Sequence, residues 1–340
     1  MTDYLIKNES SEEGPPPTIE NIEIYHQNAS TVNISSNETK EKNLLNEVYE
    51  TEEVKLNGRM LIAQDNTCFW SGLTTQGKKW EVYQGNSLSI MSSLPNDTFH
   101  CIVTSPPYYW LRDYNVEGQI GMEWKIADYI TSIADVMDQA KRVLAKDGVL
   151  FLNLGDTYYS GKGQSRGIDK KSKKRRFGLR AVDANGLGVP KKSLIGIPWR
   201  VALEMVNRGW VLRSAIIWDR EQALPENVKD RPSRSYENIF MFVKSKKYYF
   251  NQKALEGQKE DVWSISARPK LTPGISTAPF PDELAQKCMD VGCPPNGNVL
   301  DPFAGSGTVL RVALTSGHNA TGIDLNPDFC SFMVKKIKVL

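Results

Sequence analysis

Short apolar runs and amphipathic stretches follow one another along most of the chain. Continuous apolar runs bounded by turn residues predict buried strands, and apolar residues at three- and four-residue spacing predict helices that pack by one face. The predicted strands are residues 80–83, 99–103, 149–152, 210–218, 298–300 and 319–323. The predicted helices are a short one after residue 87 and longer ones at 129–145, 194–208, 281–291, one ending at 316 and one starting near 327.

Strands that alternate with amphipathic helices favour a mostly parallel sheet with helices on both faces. We therefore expect an α/β fold with one doubly wound sheet. Residues 238–243 and 248–251 predict two further short strands, which 244–247 would join as an antiparallel hairpin at one edge of that sheet.

The first 60 residues differ from the rest of the chain in charge. They carry 12 acidic and 5 basic side chains, whereas the remaining residues carry 28 acidic and 37 basic ones. This predicts a polar acidic tail without stable structure at 1–60, followed by a folded catalytic domain at 61–340. The excess positive charge of that domain favours a polyanionic partner.

Cysteine usage and hydropathy exclude several other classes. The five cysteines include no Cys-x-x-Cys pair and are accompanied by three histidines, so no metal site is predicted. No run of 18 apolar residues and no basic start followed by an apolar run is present, so neither a transmembrane helix nor a secretory signal is predicted.

Two prolines follow the predicted strand 99–103 and hold the chain in a turn. In Thr104-Ser105-Pro106-Pro107-Tyr108 they stop both a helix and a sheet ladder, because proline fixes φ and has no N–H to donate. The turn therefore presents a hydroxyl group before the prolines and a phenol ring after them, at the carboxyl end of a buried strand.

A second turn has the pattern of a ligand-binding loop. Residues 301–308, Asp-Pro-Phe-Ala-Gly-Ser-Gly-Thr, join a predicted strand to a helix. Its glycines allow the backbone to approach a ligand and to present helix N-terminal N–H groups to it. The next strand ends at Asp324, whose carboxylate is placed to accept hydrogen bonds from both hydroxyls of a ribose. An ordinary glycine-rich turn is the alternative.

Both turns resemble motifs of one enzyme family. Residues 301–308 are similar to the S-adenosylmethionine motif of the DNA amino-methyltransferases, and residues 104–108 are similar to the catalytic motif of the same family. The likeness spans about 79–336, and the catalytic motif comes first, as in the permuted β group. The resemblance implies a circularly permuted Rossmann-like methyltransferase fold with S-adenosylmethionine as its cofactor.

The resemblance also implies roles for the turn at 104–108. The Ser105 hydroxyl and the Pro106 carbonyl would accept hydrogen bonds from the exocyclic amine of a flipped base, on a turn stiffened by Pro107, and Tyr108 would stack on that base. The amine would then attack the methyl group directly, so catalysis is mostly orientation.

The identity of the base is predicted from Ser105. In the family, serine at this position goes mostly with cytosine N4, and an acid or amide goes mostly with adenine N6. The expected function is therefore methylation of cytosine N4 in a DNA site. Adenine N6 methylation is the alternative, and a catalytically silent nucleic-acid-binding protein with the same fold is the alternative from another class.

The cofactor is expected to contact the second turn and two further segments. Residues 276–281 resemble the segment that closes over the methionine end, with a helix-capping loop as the alternative. Residues 85–87 resemble a Gly-Asp element near the cofactor adenine, with Asn86 in place of the acid. The predicted cofactor-binding residues are Asn86, Phe280, Asp301, Phe303, Ala304, Gly305, Ser306, Gly307, Thr308, Asp324 and Asn326.

A basic insertion at about 157–193 is predicted to contact DNA. It holds 11 basic and 2 acidic residues between 161 and 192 and leaves the same sheet edge as the turn at 104–108. A solvated loop and a nuclear localisation signal are the alternatives. Residues 218–236 resemble the loop beside the target base. The predicted DNA-binding residues are Lys170, Lys171, Lys173, Lys174, Arg175, Arg176, Arg231 and Ser233.

The expected partner is double-stranded DNA, without a membrane. A restriction endonuclease would act on the same DNA site without binding this protein. The expected location is intracellular and DNA-associated, in a bacterial cytoplasm and nucleoid or in the nucleus of a eukaryotic host.

Overall fold

The computed structural model describes residues 58–62, 68–161, 181–222, 226–255, 261–267 and 281–340, all of which belong to the unit Leu56–Leu340. The strands are β1 Gly58–Ile62, β2 Cys68–Leu73, β3 Lys79–Gln84, β4 Phe99–Thr104, β5 Leu144–Leu154, β6 Val211–Glu221, β7 Tyr236–Val243, β8 Val262–Ser266, β9 Asn298–Asp301 and β10 Asn319–Asp324. The helices are α1 Ser87–Ser93, α2 Ile126–Val143, α3 Ile197–Asn207, α4 Asp282–Gly292, α5 Thr308–Thr315 and α6 Pro327–Ile337, with a 3₁₀ turn at Gln252–Leu255.

One sheet contains all of these strands, in the order β1-β2-β3-β10-β9-β4-β5-β7-β6-β8. The five central strands from β3 to β5 are parallel to one another. β7 runs antiparallel between β5 and β6, and β1 and β2 extend the other side as antiparallel strands. The predicted α/β fold with a mostly parallel sheet is confirmed.

Two apolar cores lie on opposite faces of the sheet. Residues of α4, α5 and α6 contribute to one core, and residues of α1, α2 and α3 contribute to the other. β4 is buried on both faces: Cys101 and Val103 belong to the first core and Ile102 to the second, and none is more than 1% exposed. A strand covered on both faces has a nearly continuous apolar sequence, which in β4 is interrupted by the half-buried His100.

The two turns singled out in the sequence leave neighbouring strands. β4 and β9 pair in parallel, with Cys101 opposite Val299 and Ile102 opposite Leu300. The chain then continues from β4 to β5 on one side and from β9 to β10 on the other. Connections that diverge in this way open a crevice at the carboxyl ends of the strands, where α/β sheets bind ligands.

The hairpin predicted at 238–251 is wrong. β7 pairs with β6 and β5, and residues 248–251 form no strand. The backbone N–H groups of Tyr249 and Asn251 instead donate to carbonyls of Asp147 and Val291. The apolar run of β7 is buried between β5 and β6, which both precede it in the chain, so the segment that follows it is not its partner.

The sheet also begins earlier than its predicted start near residue 79. β1 and β2 add two strands before β3, and β1 crosses the predicted domain boundary at residue 60. The predicted acidic tail lies outside the described residues up to residue 57, and the domain division stays a prediction. In the described ranges, no helix is long and apolar enough to cross a membrane.

Candidate active site

A cavity of about 340 Å³ lies at the carboxyl ends of β4 and β9. Residues 104–108, here called the catalytic turn, form one side of it, and residues 301–308, here called the cofactor turn, form another. The structure thus brings two segments that are about 200 residues apart in the sequence to one cavity. The predicted site residues that line it are Asn86, Ser105, Pro106, Pro107, Tyr108, Asp301, Phe303, Ala304, Gly305, Ser306, Thr308, Asp324 and Asn326.

Asp301 links the two turns. Its Oδ1 accepts hydrogen bonds from the Thr104 hydroxyl at 2.7 Å and from the Phe303 N–H at 3.0 Å. The residue is only 3% exposed. Burial raises the pKa of the Asp301 carboxyl to about 7, although both hydrogen bonds act in the opposite direction. The spacing of β4 and β9 at the cavity is therefore fixed by a buried side chain as well as by the sheet.

Asp324 holds the cofactor turn in place. Its Oδ2 accepts from the Gly305 N–H at 2.7 Å, and its Oδ1 accepts from the Asn326 N–H at 2.8 Å. Burial raises the pKa of this carboxyl to about 6, against the lowering effect of the backbone N–H groups. A carboxylate oxygen has a second lone pair, so Asp324 can still accept from a ligand in the cavity.

The backbone conformation and packing of the cofactor turn require its two glycines. Gly305 and Gly307 have φ of +53° and +79°, which disfavour any other residue. A Cβ on Gly307 would also lie 2.6 Å from Cγ of Met333 on α6. The N–H groups of the two glycines themselves are paired within the protein, because Gly305 donates to Asp324 and Gly307 donates to the Ala304 carbonyl. The contact of the cofactor turn with a ligand stays a prediction.

Asn86 and Asn326 are both helix caps. Asn86 Oδ1 accepts from the N–H groups of Leu88 and Ser89 at the start of α1, and Asn326 Oδ1 accepts from the Asp328 N–H at the start of α6. Both residues also line the cavity. Asn326 thus caps the helix that was predicted to start near residue 327, and the contact of either residue with a cofactor stays a prediction.

Two tyrosines hold the catalytic turn in place, Tyr108 within the turn and Tyr129 on α2. The Ser105 hydroxyl donates to the Tyr108 oxygen at 3.2 Å, and the Tyr129 hydroxyl donates to the Pro107 carbonyl at 2.9 Å. The Tyr108 ring is packed so closely on Gly155 that a Cβ there would lie 2.5 Å from it. Burial and the neighbouring Glu237 raise the pKa of Tyr108 well above its usual value, so the phenol stays neutral.

The same cavity is lined by three polar residues here called the polar wall: Asn153 on β5, Glu237 on β7 and Arg220 on β6. None is among the predicted site residues, although Arg220 lies in the segment 218–236, which resembles the loop beside the target base. Asn153 Nδ2 donates to the Tyr108 oxygen at 2.8 Å and to Glu237 Oε2 at 3.1 Å. Tyr108 donates to the same Oε2 at 2.6 Å, and Arg220 Nη1 donates to Oε1 at 2.8 Å.

A sequence signal for the polar wall exists. Val149 and Phe151 on β5 and Ile216 and Trp218 on β6 face the first core. Asn153 and Arg220 occupy the next position of each alternation, where an apolar residue would be expected. A polar residue at the end of a buried strand marks the sheet edge where ligands bind.

The remaining predicted residues divide into two groups. Arg231 donates to Glu226 Oε2 at 2.6 Å and stacks 3.8 Å above the Tyr158 ring, and Ser233 is exposed nearby; neither lines the cavity. Their contact with DNA stays a prediction. The other predicted residues lie outside the described residues: Lys170, Lys171, Lys173, Lys174, Arg175, Arg176 and Phe280.

A group of three or more acidic, histidine or cysteine side chains placed to hold a metal ion is absent from the described part of the chain. The cavity is therefore built from carboxylates, hydroxyls, amides and aromatic rings.

Comparison with known proteins gives a consistent result. The DNA methylase model for N6- and N4-specific methyltransferases matches residues 99–336. The Type II methyltransferase M.Cfr9I of Citrobacter freundii is 40% identical over 265 residues, which cover 76% of this chain and 87% of that protein. M.SmaI of Serratia marcescens is 39% identical over 287 residues, covering 82% and 96%. The solved PvuII DNA methyltransferase (cytosine-N4-specific) shares the fold, with a TM-score of 0.58 and 20% identity over 77% of this chain and 86% of that one.

Proposed function

Because the chain belongs to the family of N6- and N4-specific DNA methylases, we propose that it methylates the exocyclic N4 of a cytosine in double-stranded DNA. The family makes the protein an S-adenosylmethionine-dependent DNA methyltransferase. The choice of cytosine rests on one observation, which is that Ser105 supplies the side-chain acceptor of a catalytic turn that shares its cavity with the cofactor turn.

The cavity fits S-adenosylmethionine, which brings an electrophilic methyl group on a positively charged sulfonium. Its walls include two buried carboxyls, Asp301 and Asp324, and the aromatic rings of Phe303 and Phe329. Gln119 Nε2 is a buried donor on the same wall that has no hydrogen-bond partner in the described structure. We infer that Asp324 accepts from the ribose hydroxyls, that the predicted cofactor residues surround the ligand and that Phe280 contributes from outside the described residues.

The catalytic turn supports the handling of an amine. An exocyclic amine is a poor nucleophile because its lone pair is delocalised into the base. Acceptors at Ser105 Oγ and the Pro106 carbonyl favour a pyramidal nitrogen, which frees that lone pair for attack. Ser105 Oγ directs its own hydrogen to Tyr108, so its lone pairs remain available to an N–H group of the base.

The basic insertion and the segment that contains Arg231 and Ser233 are proposed to contact the DNA backbone. Since the relatives are Type II methyltransferases, we also infer an intracellular enzyme of a restriction–modification system. Its cognate endonuclease would act on the same site without binding the methyltransferase.

The experiment is methyl transfer from tritiated S-adenosylmethionine to unmethylated plasmid DNA, followed by nucleoside mass spectrometry and mapping of the modified sites. N4-methylcytosine supports the proposal. N6-methyladenine would show that Ser105 does not select cytosine. Binding to DNA with no transfer would make the protein a silent nucleic-acid-binding member of the family.

A further inference from the structure

The polar wall continues the catalytic turn across the sheet. Asn153, Glu237 and Arg220 lie on β5, β7 and β6, which follow β4 in that order, so each side chain stands at the same sheet edge as Ser105 and Tyr108. All three line the cavity. They are therefore placed on the side of the cavity away from β10 and Asp324.

Two atoms of this wall are buried without a hydrogen-bond partner. Among the described residues, four buried side-chain polar atoms have none, and Asn153 Oδ1 and Arg220 Nε are two of them. Asn153 is only 3% exposed. A buried unpaired donor or acceptor destabilises a fold, so its retention calls for an explanation. A ligand group that pairs with it in the working state is one.

Glu237 fixes which atom of Asn153 is left unpaired. Its Oε2 accepts from Asn153 Nδ2 at 3.1 Å, and the opposite amide orientation would place two acceptor oxygens against each other. The same carboxylate holds Arg220 through Nη1 at 2.8 Å. The Glu237 carboxylate therefore fixes the orientation of two residues that line one cavity, and it leaves Asn153 Oδ1 as an unpaired acceptor and Arg220 Nε as an unpaired donor.

One acceptor and one donor together match only some base edges. On their pairing edges cytosine and adenine each offer an amine N–H next to an unprotonated ring nitrogen. Thymine, uracil and guanine offer the reverse, a carbonyl oxygen next to a ring N–H. A donor that faces a donor, or an acceptor that faces an acceptor, leaves both groups unpaired in a buried site.

We propose that Asn153 and Arg220 read the pairing edge of the flipped base, with Asn153 Oδ1 accepting from the exocyclic amine and Arg220 Nε donating to the adjacent ring nitrogen. This assignment rests on the proposed function, because it takes a DNA base as the occupant. An amine carries two hydrogens. One is donated to Asn153 Oδ1, and the other is shared by Ser105 Oγ and the Pro106 carbonyl in a three-centre hydrogen bond. Glu237 is a positioning residue, because it orients both Asn153 and Arg220.

The test measures preference for an amine-bearing base. Two duplexes contain the mapped site, one with the target cytosine and one with uracil at that position. Their dissociation constants are measured by fluorescence anisotropy with S-adenosylhomocysteine present. The measured quantity is the dissociation constant for the uracil duplex divided by that for the cytosine duplex. The free energy of flipping the base out of the duplex depends on the DNA alone, so it cancels when this ratio is compared between a variant and the wild type.

Asn153→Leu and Arg220→Lys are each expected to lower this ratio about tenfold, the effect of one hydrogen bond to a buried group. Lysine keeps the charge that pairs with Glu237 and removes the Nε–H donor. Asn238→Leu is the matched control, because Asn238 is a buried asparagine on β7 that does not line the cavity, and its ratio should stay within about twofold.

Tyr108→Phe distinguishes two roles of Asn153, recognition of the base and support of the Tyr108 hydroxyl. If Asn153 serves only to hold the Tyr108 hydroxyl, Tyr108→Phe and Asn153→Leu will share one pattern, slower turnover with an unchanged ratio, and the proposal is overturned. Unchanged ratios in both reader variants also overturn it. The affinity of each variant for the cofactor shows whether it is folded. If Asn153→Leu no longer binds the cofactor, the ratio measured for Arg220→Lys tests the proposal instead. If the modified base proves to be adenine, the cytosine proposal fails while this one is tested with adenine and hypoxanthine duplexes.

Discussion

The two sides of the cavity are built in different ways. On the cofactor side, the cofactor turn and the strand end that follows it bond to one another: Gly305 with Asp324, Gly307 with Ala304, and Asn326 with Asp324. The unpaired Nε2 of Gln119 belongs to neither of these two segments. The base side is assembled from β4, β5, β7 and β6, and it retains unpaired atoms on Asn153 and Arg220. A site for an invariant cofactor can be a prefolded motif, whereas a site that selects a base has groups left to pair with it.

We first predict that the basic insertion contributes to DNA affinity and not to cofactor affinity. Replacing Lys173, Lys174, Arg175 and Arg176 by glutamine should lower the salt slope of DNA affinity by about three to four units if each side chain neutralises one phosphate. The dissociation constant of S-adenosylmethionine should stay the same. Titrations from 50 to 300 mM salt measure the slope, and an unchanged slope would rule out these four residues as the main phosphate contacts.

Ser105→Ala should separate chemistry from cofactor binding. The loss of an acceptor that acts on the reacting amine should reduce kcat about 100-fold, a magnitude typical of one positioned catalytic group. Cofactor affinity, measured by calorimetry, should change less than about twofold, because Ser105 bonds to Tyr108 rather than to the cofactor turn. The exposed Ser233→Ala is the control. An equal loss of cofactor affinity would show that the two sides are not separable.

Gly307→Ala should test how rigid the cofactor side is. Alanine at φ of +79° costs about 1 kcal/mol in backbone strain, and its Cβ would also press on Met333, for a total of about 2–4 kcal/mol of unfolding free energy. Gly186→Ala is matched, since Gly186 has φ of +87° and open space around its Cα, so only the backbone cost applies. Urea unfolding of the two variants gives the difference. Equal losses would contradict the packing role of Gly307.

Asp324→Asn should weaken cofactor binding about tenfold and leave kcat at saturating cofactor nearly unchanged. An amide offers one acceptor oxygen where the carboxylate offers two, so it cannot serve both the Gly305 and Asn326 N–H groups and a ribose. Calorimetry and initial rates give the two quantities. A larger effect on kcat than on affinity would move Asp324 from cofactor binding to catalysis.

Asp301, which links the two sides of the cavity, should make the free energy of unfolding depend on pH. The pKa of Asp301 is raised to about 7 in the fold, so the folded state binds a proton that the unfolded state has lost above about pH 4. Unfolding free energy should therefore fall as pH rises from about 4 to 7, by up to about 1.4 kcal/mol per pH unit from this group. Asp301→Asn should remove that part of the slope, measured by urea unfolding at several pH values. An unchanged slope would mean that Asp301 is not the titrating group.

The same division decides what the sequence alone could predict. Each of the two turns is one continuous run of sequence, so the residues of both can be identified without knowledge of the strand order. Asn153 and Glu237 could not be predicted, because the strand order β5-β7-β6 that brings them to the cavity is set by pairing within the sheet. The false hairpin at 238–251 has the same origin, since β7 pairs with β5 and β6, which precede it, rather than with the segment that follows it.

The bond between Thr104 and Asp301 joins residues 197 positions apart in the chain. The entropy of closing such a loop grows only with the logarithm of its length, and a doubling adds about 0.6 kcal/mol. Segments inserted between the two turns therefore cost the reaction centre little, provided that they leave β5, β7 and β6 in place. The stretch between β5 and α3, which we propose to contact DNA, is one such segment, so its length can change while the bond between the two turns is kept.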